Sequence, residues 1–439
     1  MSRLREWVAR ALYGLLLRLL QPAYALRLWR RGRAEPLYRT RMAERFGFYP
    51  WHRSQGWAWV HAVSLGETLA AAALIDALRA QRPDLRLLLT HGTATGLEAG
   101  RKLLRDGDRQ TWLPYDTPGA TRRFLERFRP AVGVLMETEV WPNLLLAAQA
   151  RQVPVVLANA RLSERSLRRG RRFAAVLRPA IDSVALVLAQ TAEDARRLRG
   201  AGARAIEVDG NLKYDLTPDA AQLALGVAWR TRVQRPVVLG AITREGEEAA
   251  LLDAWVRRPA DDALLLIVPR HPQRFDEVAA LARAAGLTLA RRSDWQDAPP
   301  DAALQARVWL GDSMREMALY YGCADVALLG GSFAPLGGHN LIEAAACGCP
   351  LVIGPSTFNF AEAAERSVVA GAAVRVAGMD AGVALVDELL REPERLAALS
   401  ARARAFTLEH RGAAVRMARR IAALMRDEAG PTSSPATPG

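Results

Sequence analysis

Short apolar runs that alternate with stretches of helical period constrain this chain more than any other feature. From Trp57 onward the runs are 57–63, 85–90, 111–115, 131–136, 155–158, 184–189 and 205–208. Between them lie polar or Gly-bearing loops and amphipathic segments such as 68–79 and 120–128. A continuous apolar run reads as a strand buried on both faces, and an amphipathic segment between two such runs reads as a crossover helix. Repeated β-α-β connection gives a doubly wound parallel sheet.

The rhythm pauses around 217–235 and then restarts with 237–239, 263–268, 287–290, 308–310, 326–329, 351–353 and 373–376. The 439 residues therefore divide into two α/β halves of about 200 residues, each long enough to bury its own core. Ligands of open α/β sheets bind beyond the carboxyl ends of the strands, so chemistry is expected in a cleft onto which both sets of strand ends open. The last residues, PTSSPATPG, have a composition that favours disorder.

The segment from Gly330 to Glu365 is the most specific for function. An apolar run ends in glycines, a second pair (Gly337, Gly338) leads into His339 and Asn340, and a helix-like stretch follows with Glu343 one turn in. Glycines admit a ligand close to the backbone, and the first amides of a helix lack intrahelical partners, which suits a phosphate or a ribose diol. A second loop, 354–360, follows the next run. Gly-rich strand-to-helix turns also occur where nothing binds, but here three polar side chains share the loop.

Other polar candidates sit just past strand ends. After the first run come Ser64, Gly66 and Glu67, where Glu67 is either a helix N-terminal carboxylate favoured by the dipole or a general base. Glu137 and Glu139 follow the fourth run. Either they face water and bind cations such as Arg161, or one is held near Glu67 or Lys213 to set its charge state. Pro142 suits the first turn of a helix. Arg270, flanked by Pro269 and Pro272, is placed to grip a phosphate with its forked guanidinium. The junction at 311–316 offers capping residues and free amides.

Lys plus Arg exceed Asp plus Glu by 60 to 46, a net charge of +14 that favours anionic partners. Lys102 and Lys213 alone interrupt an arginine-only set of cations. Cys323, Cys347 and Cys349 read as reduced and packed against helices, since they form no disulfide framework. Neither an HExxH, a paired CxxC nor an Asp-x-Asp follows a strand, so no metal site is expected; negative charge on a leaving group falls to Arg270, Lys213 and helix amides. The N-terminal stretch is too interrupted by arginines to span a bilayer. Leu4, Val8, Leu12, Leu15 and Leu19 share one helical face before Pro22, which makes it either an interfacial anchor on an anionic leaflet or a stripe packed on the chain's own core.

Seven segments together carry a family likeness: HAVSLGE (61–67), ETEVWPN (137–143), NARLSERS (159–166), GNLKYD (210–215), PRHPQRF (269–275), GDSMREM (311–317) and GGHNLIEAAACGCPLVIGPSTFNF (337–360). In this order, from about Tyr38 to Arg419, the chain resembles the 3-deoxy-D-manno-octulosonic acid (Kdo) transferases of Gram-negative bacteria. The resemblance implies a GT-B glycosyltransferase with two Rossmann-like domains facing a central cleft. It would move Kdo from CMP-Kdo to a lipid A precursor (lipid IVA), inverting, without metal or other cofactor, at the cytoplasmic face of the bacterial inner membrane. It also implies an anionic membrane surface as a partner and no nucleic acid.

Residue by residue, Glu67 matches the general base, and Glu137 and Lys213 match positions that stabilise the transition state. Pro269, Arg270, Met314, Arg315, Glu316, Asn340, Leu341, Ile342 and Glu343 match the CMP-contacting segments. Arg315 stands where the family usually has glycine, Ala344 where proline is common and Ser356 where histidine is frequent. The domains implied are a membrane-associating segment 1–34, an acceptor domain 35–220, a CMP-sugar domain 221–428 and a tail 429–439. A heptosyl or N-acetylglucosaminyl transferase or a sugar-nucleotide epimerase would share the Gly-rich loop and Glu343; a peripheral membrane or nucleic-acid binder without activity would need only the charge.

Overall fold

The computed structural model describes residues 2–259 and 262–425. They form two compact units, one running to Asp215 and resuming at Gly412, the other spanning Leu216–Arg411. The first holds a sheet of β1 (Trp57–His61), β2 (Arg86–His91), β3 (Arg109–Trp112), β4 (Pro130–Met136), β5 (Val155–Ala160), β6 (Leu186–Ala189) and β7 (Ile206–Val208) in the order β3-β2-β1-β4-β5-β6-β7. Every neighbouring pair is parallel. Trp57, Trp59, Leu135 and Leu157 point into one core while Ala58, Val60, Val134 and Val156 point into another, so both faces of the sheet are covered.

In the second unit, β8 (Val237–Thr243), β9 (Leu264–Pro269), β10 (Leu289–Arg291), β11 (Val308–Leu310), β12 (Val326–Leu329), β13 (Leu351–Ile353) and β14 (Ala373–Arg375) form a second all-parallel sheet. Its order is β10-β11-β9-β8-β12-β13-β14. All the apolar runs of the sequence are strands here, and the fold is the doubly wound α/β pair expected. In each sheet the chain fills one side and then restarts on the other, with β11 inserted between β9 and the edge strand β10, giving a switch point between β1 and β4 and another between β8 and β12.

Two expectations need correction. The pause at 217–235 is occupied by a helix, Ala220–Val233, which lies so close to the helix Met317–Cys323 that a Cβ at Gly226 would stand 2.1 Å from the Leu319 carbonyl oxygen. The boundary of the second domain does not extend to 428: the helix Ala413–Leu424 buries Ala413, Ala414, Met417, Ala418 and Ile421 in the core of the first sheet. Its start is held there by Asp215, whose carboxylate accepts the Gly412 amide at 2.5 Å and the Ala414 amide at 2.7 Å. The N-terminal helix expected within 1–34 runs through Pro22, from Ser2 to Arg31. Gln21 donates to Thr117 and Tyr24 stacks on Tyr115 at 5.1 Å, so contacts on both sides of the proline outweigh the backbone bond it removes. The expected tail 429–439 lies outside the described residues.

Of the two alternatives for the N-terminal stripe, packing on the chain's own core is not what is seen. Leu4, Leu12 and Leu19 are 69%, 61% and 70% exposed, while Tyr13, on another face, donates to Asp116 at 3.0 Å. No helix among the described residues is long and apolar enough to cross a membrane. Cys323, Cys347 and Cys349 are free and buried.

Candidate functional site

The loops of interest lie at the two switch points, beyond the carboxyl ends of the strands. In the first unit, β1 is followed by a turn in which Ser64 caps the helix Leu65–Gln81. Glu67, three residues on, reaches back so that Oε2 accepts the Val63 amide at 2.8 Å and Oε1 accepts the Ser64 hydroxyl at 3.1 Å. This is a variant of the capping box in which the carboxylate accepts the amide one residue before the N-cap, and it fixes the carboxylate at the mouth of the sheet. Burial pushes the Glu67 carboxyl above its usual value, the Val63 hydrogen bond pulls it down, and the negative charge of Glu137 pushes it up again.

Glu137 comes from the other side of the same switch point, immediately after β4. Its backbone is left-handed, φ 55°, a conformation unfavourable for a side chain of this type and sustained here by the surrounding hydrogen bonds. The Glu137 amide donates to Ala158 at 2.9 Å, and its Oε2 accepts from Arg161 Nε at 3.0 Å. Thr138 donates its hydroxyl to the Arg161 carbonyl, closing the loop on the next strand's exit. Two residues on, burial and then the Glu67 charge push Glu139 up to about 7.

Lys213 is delivered by a 3-10 turn, Leu212–Asp215, whose wiring was not legible in the sequence. Asn159 Oδ1 accepts the Leu212 amide at 3.0 Å, Gln190 Nε2 donates to the Asn159 carbonyl at 2.9 Å, and Asn211 binds Gln190 at 3.0 Å while accepting the Lys213 amide at 3.0 Å. Burial lowers the Lys213 ammonium from its usual value; Glu137 and Glu67 draw it back up and Arg161 opposes them. Glu67, Glu137 and Lys213 are thus brought together as one electrostatic group, with Glu139 and Arg161 as further members. Of the alternatives for the acidic pair, both hold in part, since Glu137 binds Arg161 and also acts on Glu67 and Lys213.

In the second unit the corresponding switch point is lined with glycines and cations. A Cβ at Gly330 would stand 2.4 Å from the Ile242 carbonyl oxygen, so only glycine lets the loop after β12 pass the end of β8. One buried carboxylate organises that loop. Glu247 accepts the amides of Gly331 (2.7 Å) and Arg244 (2.9 Å) with one oxygen, and those of Phe333 (3.0 Å) and Ala334 (3.2 Å) with the other. The second Gly-rich loop is tied to the first: Ser356 accepts the Gly337 amide at 3.0 Å and Asn359 donates to the Leu336 carbonyl at 2.9 Å.

Asn340 caps the short helix Leu341–Ala346 by accepting the Ile342 amide at 3.2 Å. Burial alone raises the Glu343 carboxyl. His339 is depressed to about 4, by burial first and then by the neighbouring charges of Arg270 and Arg244, which keeps its imidazole neutral at physiological pH. Pro269 is buried at the end of β9 and Arg270 is exposed beyond it, its amide donating to Thr243 at 2.9 Å. Arg244 belongs to this cationic pole yet escaped the sequence reading; a lone arginine after a strand looks like any surface arginine.

Met314, Arg315 and Glu316 lie past β11, one strand beyond β9. Met314 is exposed. Arg315 adopts φ 69°, the left-handed backbone that glycine takes without cost, and its carbonyl accepts from Gln222 at 2.9 Å. The Glu316 carboxylate is held in a fork by Arg292, at 3.1 and 3.0 Å, and also accepts from Ser313. Among the described residues no group of acidic, histidine and cysteine side chains is arranged to hold a metal ion.

The chain is similar to known proteins. A family profile described as 3-deoxy-D-manno-octulosonic-acid transferase (kdotransferase) matches residues 40–216. The 3-deoxy-D-manno-octulosonic acid transferase of Bordetella pertussis is 48% identical over 420 residues, 92% of this chain and 97% of that protein. The enzyme of the same description from Haemophilus influenzae is 35% identical over 87% of this chain and 91% of its own. Among solved structures, a glycosyltransferase from Rickettsia africae superposes with a TM-score of 0.57 at 12% identity, over 84% of this chain and 98% of that one. A UDP-GlcNAc 2-epimerase from Neisseria meningitidis does so with a TM-score of 0.55 at 15% identity, over 84% and 98%. These two likenesses speak for the fold, while the sequence relatives decide the chemistry: the chain belongs to the Kdo transferase family of glycosyltransferases.

Proposed function

We propose that this chain transfers Kdo from CMP-Kdo to a glucosamine hydroxyl of a lipid A precursor (lipid IVA), with inversion at the anomeric carbon. The observation that carries the reading is the Glu67 carboxylate, fixed by the Val63 amide and the Ser64 hydroxyl at a switch point and raised by burial, as suits a general base. Glu67 takes the proton of the acceptor hydroxyl as its oxygen forms the new bond to the anomeric carbon. The bond from that carbon to the CMP phosphate oxygen breaks with its electron pair, and CMP departs.

Glu137 and Lys213 stabilise the charge that shifts during this exchange, with Lys213 held in place by the Asn159–Gln190–Asn211 wiring. CMP is assigned to the second unit, against Pro269, Arg270, the turn Met314–Glu316 and the helix start at Asn340, Leu341, Ile342 and Glu343. Arg270 and the positive end of the helix Leu341–Ala346 supply positive potential to the departing phosphate, and no metal step is invoked. Domain roles follow, the first unit for acceptor and the second for donor.

The N-terminal helix supports attachment to an anionic leaflet, the cytoplasmic face of the inner membrane. Its outward stripe is apolar, and Arg5, Arg10, Arg18, Arg27, Arg30 and Arg31 flank it. The test is Glu67→Gln, assayed by mass analysis of the glycolipid formed from CMP-Kdo and lipid IVA. Loss of product with retained CMP binding is expected; near-normal turnover would sink the assignment of the base.

A further inference from the structure

A cavity of about 650 Å3 lies in the first unit beside the edge strand β3, away from the switch point that holds Glu67. Arg41, Arg101 and Arg109 line it, with Leu37, Trp51 and Leu104 as apolar walls. The one carboxylate in its lining, Asp108, is fully engaged elsewhere: it forms a close ion pair with Arg79 and accepts the amides of Leu87 and Arg105, each at 2.8 Å. It leaves little charge for the cavity.

Of the three cations, only Arg41 has a carboxylate partner among the described residues. Arg109 lies over the rings of Trp51 and Trp57, at 5.2 and 5.6 Å, and Arg86 lies over Trp57 at 4.2 Å. The Arg109 Nη1 atom is buried and makes no hydrogen bond. Burial, and then the like charge of Arg86, lower its affinity for its own proton. Arg101 is exposed and forms no ion pair among the described residues. Arg41 donates to the Gln110 carbonyl at 2.9 Å and lies 3.5 Å from Glu44, whose other oxygen is committed to the Thr111 hydroxyl (2.7 Å) and the Trp112 amide (3.1 Å).

Holding like charges around a partly desolvated space costs free energy, and a buried guanidinium N–H without an acceptor costs more. An anion in the cavity offsets the first of these costs, the repulsion between like charges. The guanidinium fork matches a phosphate, and the apolar walls leave room for carbon beside it. The position adds a second clue. Leu37 belongs to the turn Pro36–Arg39 that follows the N-terminal helix, and Arg39 fastens that turn by donating to the Trp29 carbonyl at 3.0 and 2.8 Å. The cavity therefore stands at the root of the helix whose apolar stripe is exposed.

We propose that this cavity is a phosphate-binding site, formed by Arg41, Arg101 and Arg109 and separate from the transfer chemistry, for a phosphate monoester either free or at the head of a lipid. It does not rest on the donor or acceptor assigned above. The test is calorimetric titration of the full chain with two probes, inorganic phosphate and water-soluble dihexanoyl phosphatidic acid, with dihexanoyl phosphatidylcholine as the probe whose phosphate is capped by choline. Saturable binding of phosphatidic acid is expected, weakened about tenfold in each of Arg101→Ala and Arg109→Gln.

Arg101 is exposed, so Arg101→Ala should keep the wild-type melting temperature and remains informative if Arg109→Gln unfolds. Binding of both acidic probes, lost together in Arg101→Ala, assigns the site to the phosphate group itself. Binding of phosphatidic acid alone, lost in the same variant, assigns it to a lipid headgroup. No saturable binding of either acidic probe overturns the proposal. So does binding that survives in both folded variants, which would place the lipid on the N-terminal helix, and so does equal binding of phosphatidylcholine.

Discussion

The two switch points face the same architectural problem and answer it with opposite charge. In the first unit the loops after β1 and β4 present carboxylates, Glu67, Glu137 and Glu139, with Lys213 and Arg161 brought in to balance them. In the second, the loops after β8, β9 and β12 present Arg244, Arg270 and a neutral His339, and the one carboxylate at the centre, Glu247, is turned inward to bind four amides. A parallel sheet fixes where a site is placed, since all strand ends emerge on one edge. What the site does is then written in which sign of charge the loops leave facing out. On the function proposed above, the carboxylate raised by burial serves proton removal and the cations serve an anionic nucleotide.

The sharpest way to break this contrast is to neutralise each pole. Glu67→Gln keeps an acceptor for the Val63 amide but cannot take a proton, so turnover should fall by roughly a thousandfold with donor KM little changed. A loss confined to KM would make Glu67 a structural cap and nothing more. In the second unit, Arg270→Ala should raise KM for CMP-Kdo and weaken CMP binding by roughly ten- to a hundredfold, the worth of a charge-assisted contact to phosphate. Unchanged CMP affinity measured by calorimetry would remove Arg270 from the donor site.

A subtler test concerns Glu139, held at about 7 and so raised well above an unfolded glutamate. The sign is fixed by linkage: a carboxyl raised in the folded state favours folding fully below its unfolded pKa, and that contribution is lost as pH rises to about 7. Stability followed by urea unfolding should therefore decline from pH 4.5 toward pH 7 with a slope of up to ~1.4 kcal/mol per pH unit from this group. Glu139→Gln should flatten it; an unaltered slope would show that the proton resides elsewhere. The smallest effect is expected at Arg315. Its left-handed backbone suits glycine, so Arg315→Gly should shift stability by no more than about 1 kcal/mol in either direction, release of strain offsetting the added chain entropy. A large loss of CMP binding instead would give the arginine side chain a role at the nucleotide.

The strands were legible because each is a short apolar run closed by a polar or Gly-bearing loop, a local signal that tertiary packing rarely overrides. The carboxylate and glycine positions were legible for the same reason, as they follow strand ends directly, whereas Lys213 stood out only through the family likeness. Long-range wiring was not. Nothing local says that Asp215 holds Gly412 and Ala414, so the helix Ala413–Leu424 reads as part of the unit that precedes it. Glu247 sits in the first turn of a helix and resembles any dipole-favoured acid until its amide partners are seen. Pro22 looks like a helix stop because the contacts of Gln21 and Tyr24 that carry the helix past it involve residues about ninety positions away.

The return of the final helix to the first sheet also sets the order of assembly at the ribosome. The first unit's core lacks Met417, Ala418 and Ile421 until nearly the whole chain has been synthesised, whereas the second unit possesses all its residues once Arg411 has emerged. The portion made first is thus completed last. A nascent chain released a few dozen residues early would carry a finished second unit attached to a first unit with an open flank, a target for chaperones and proteases alike.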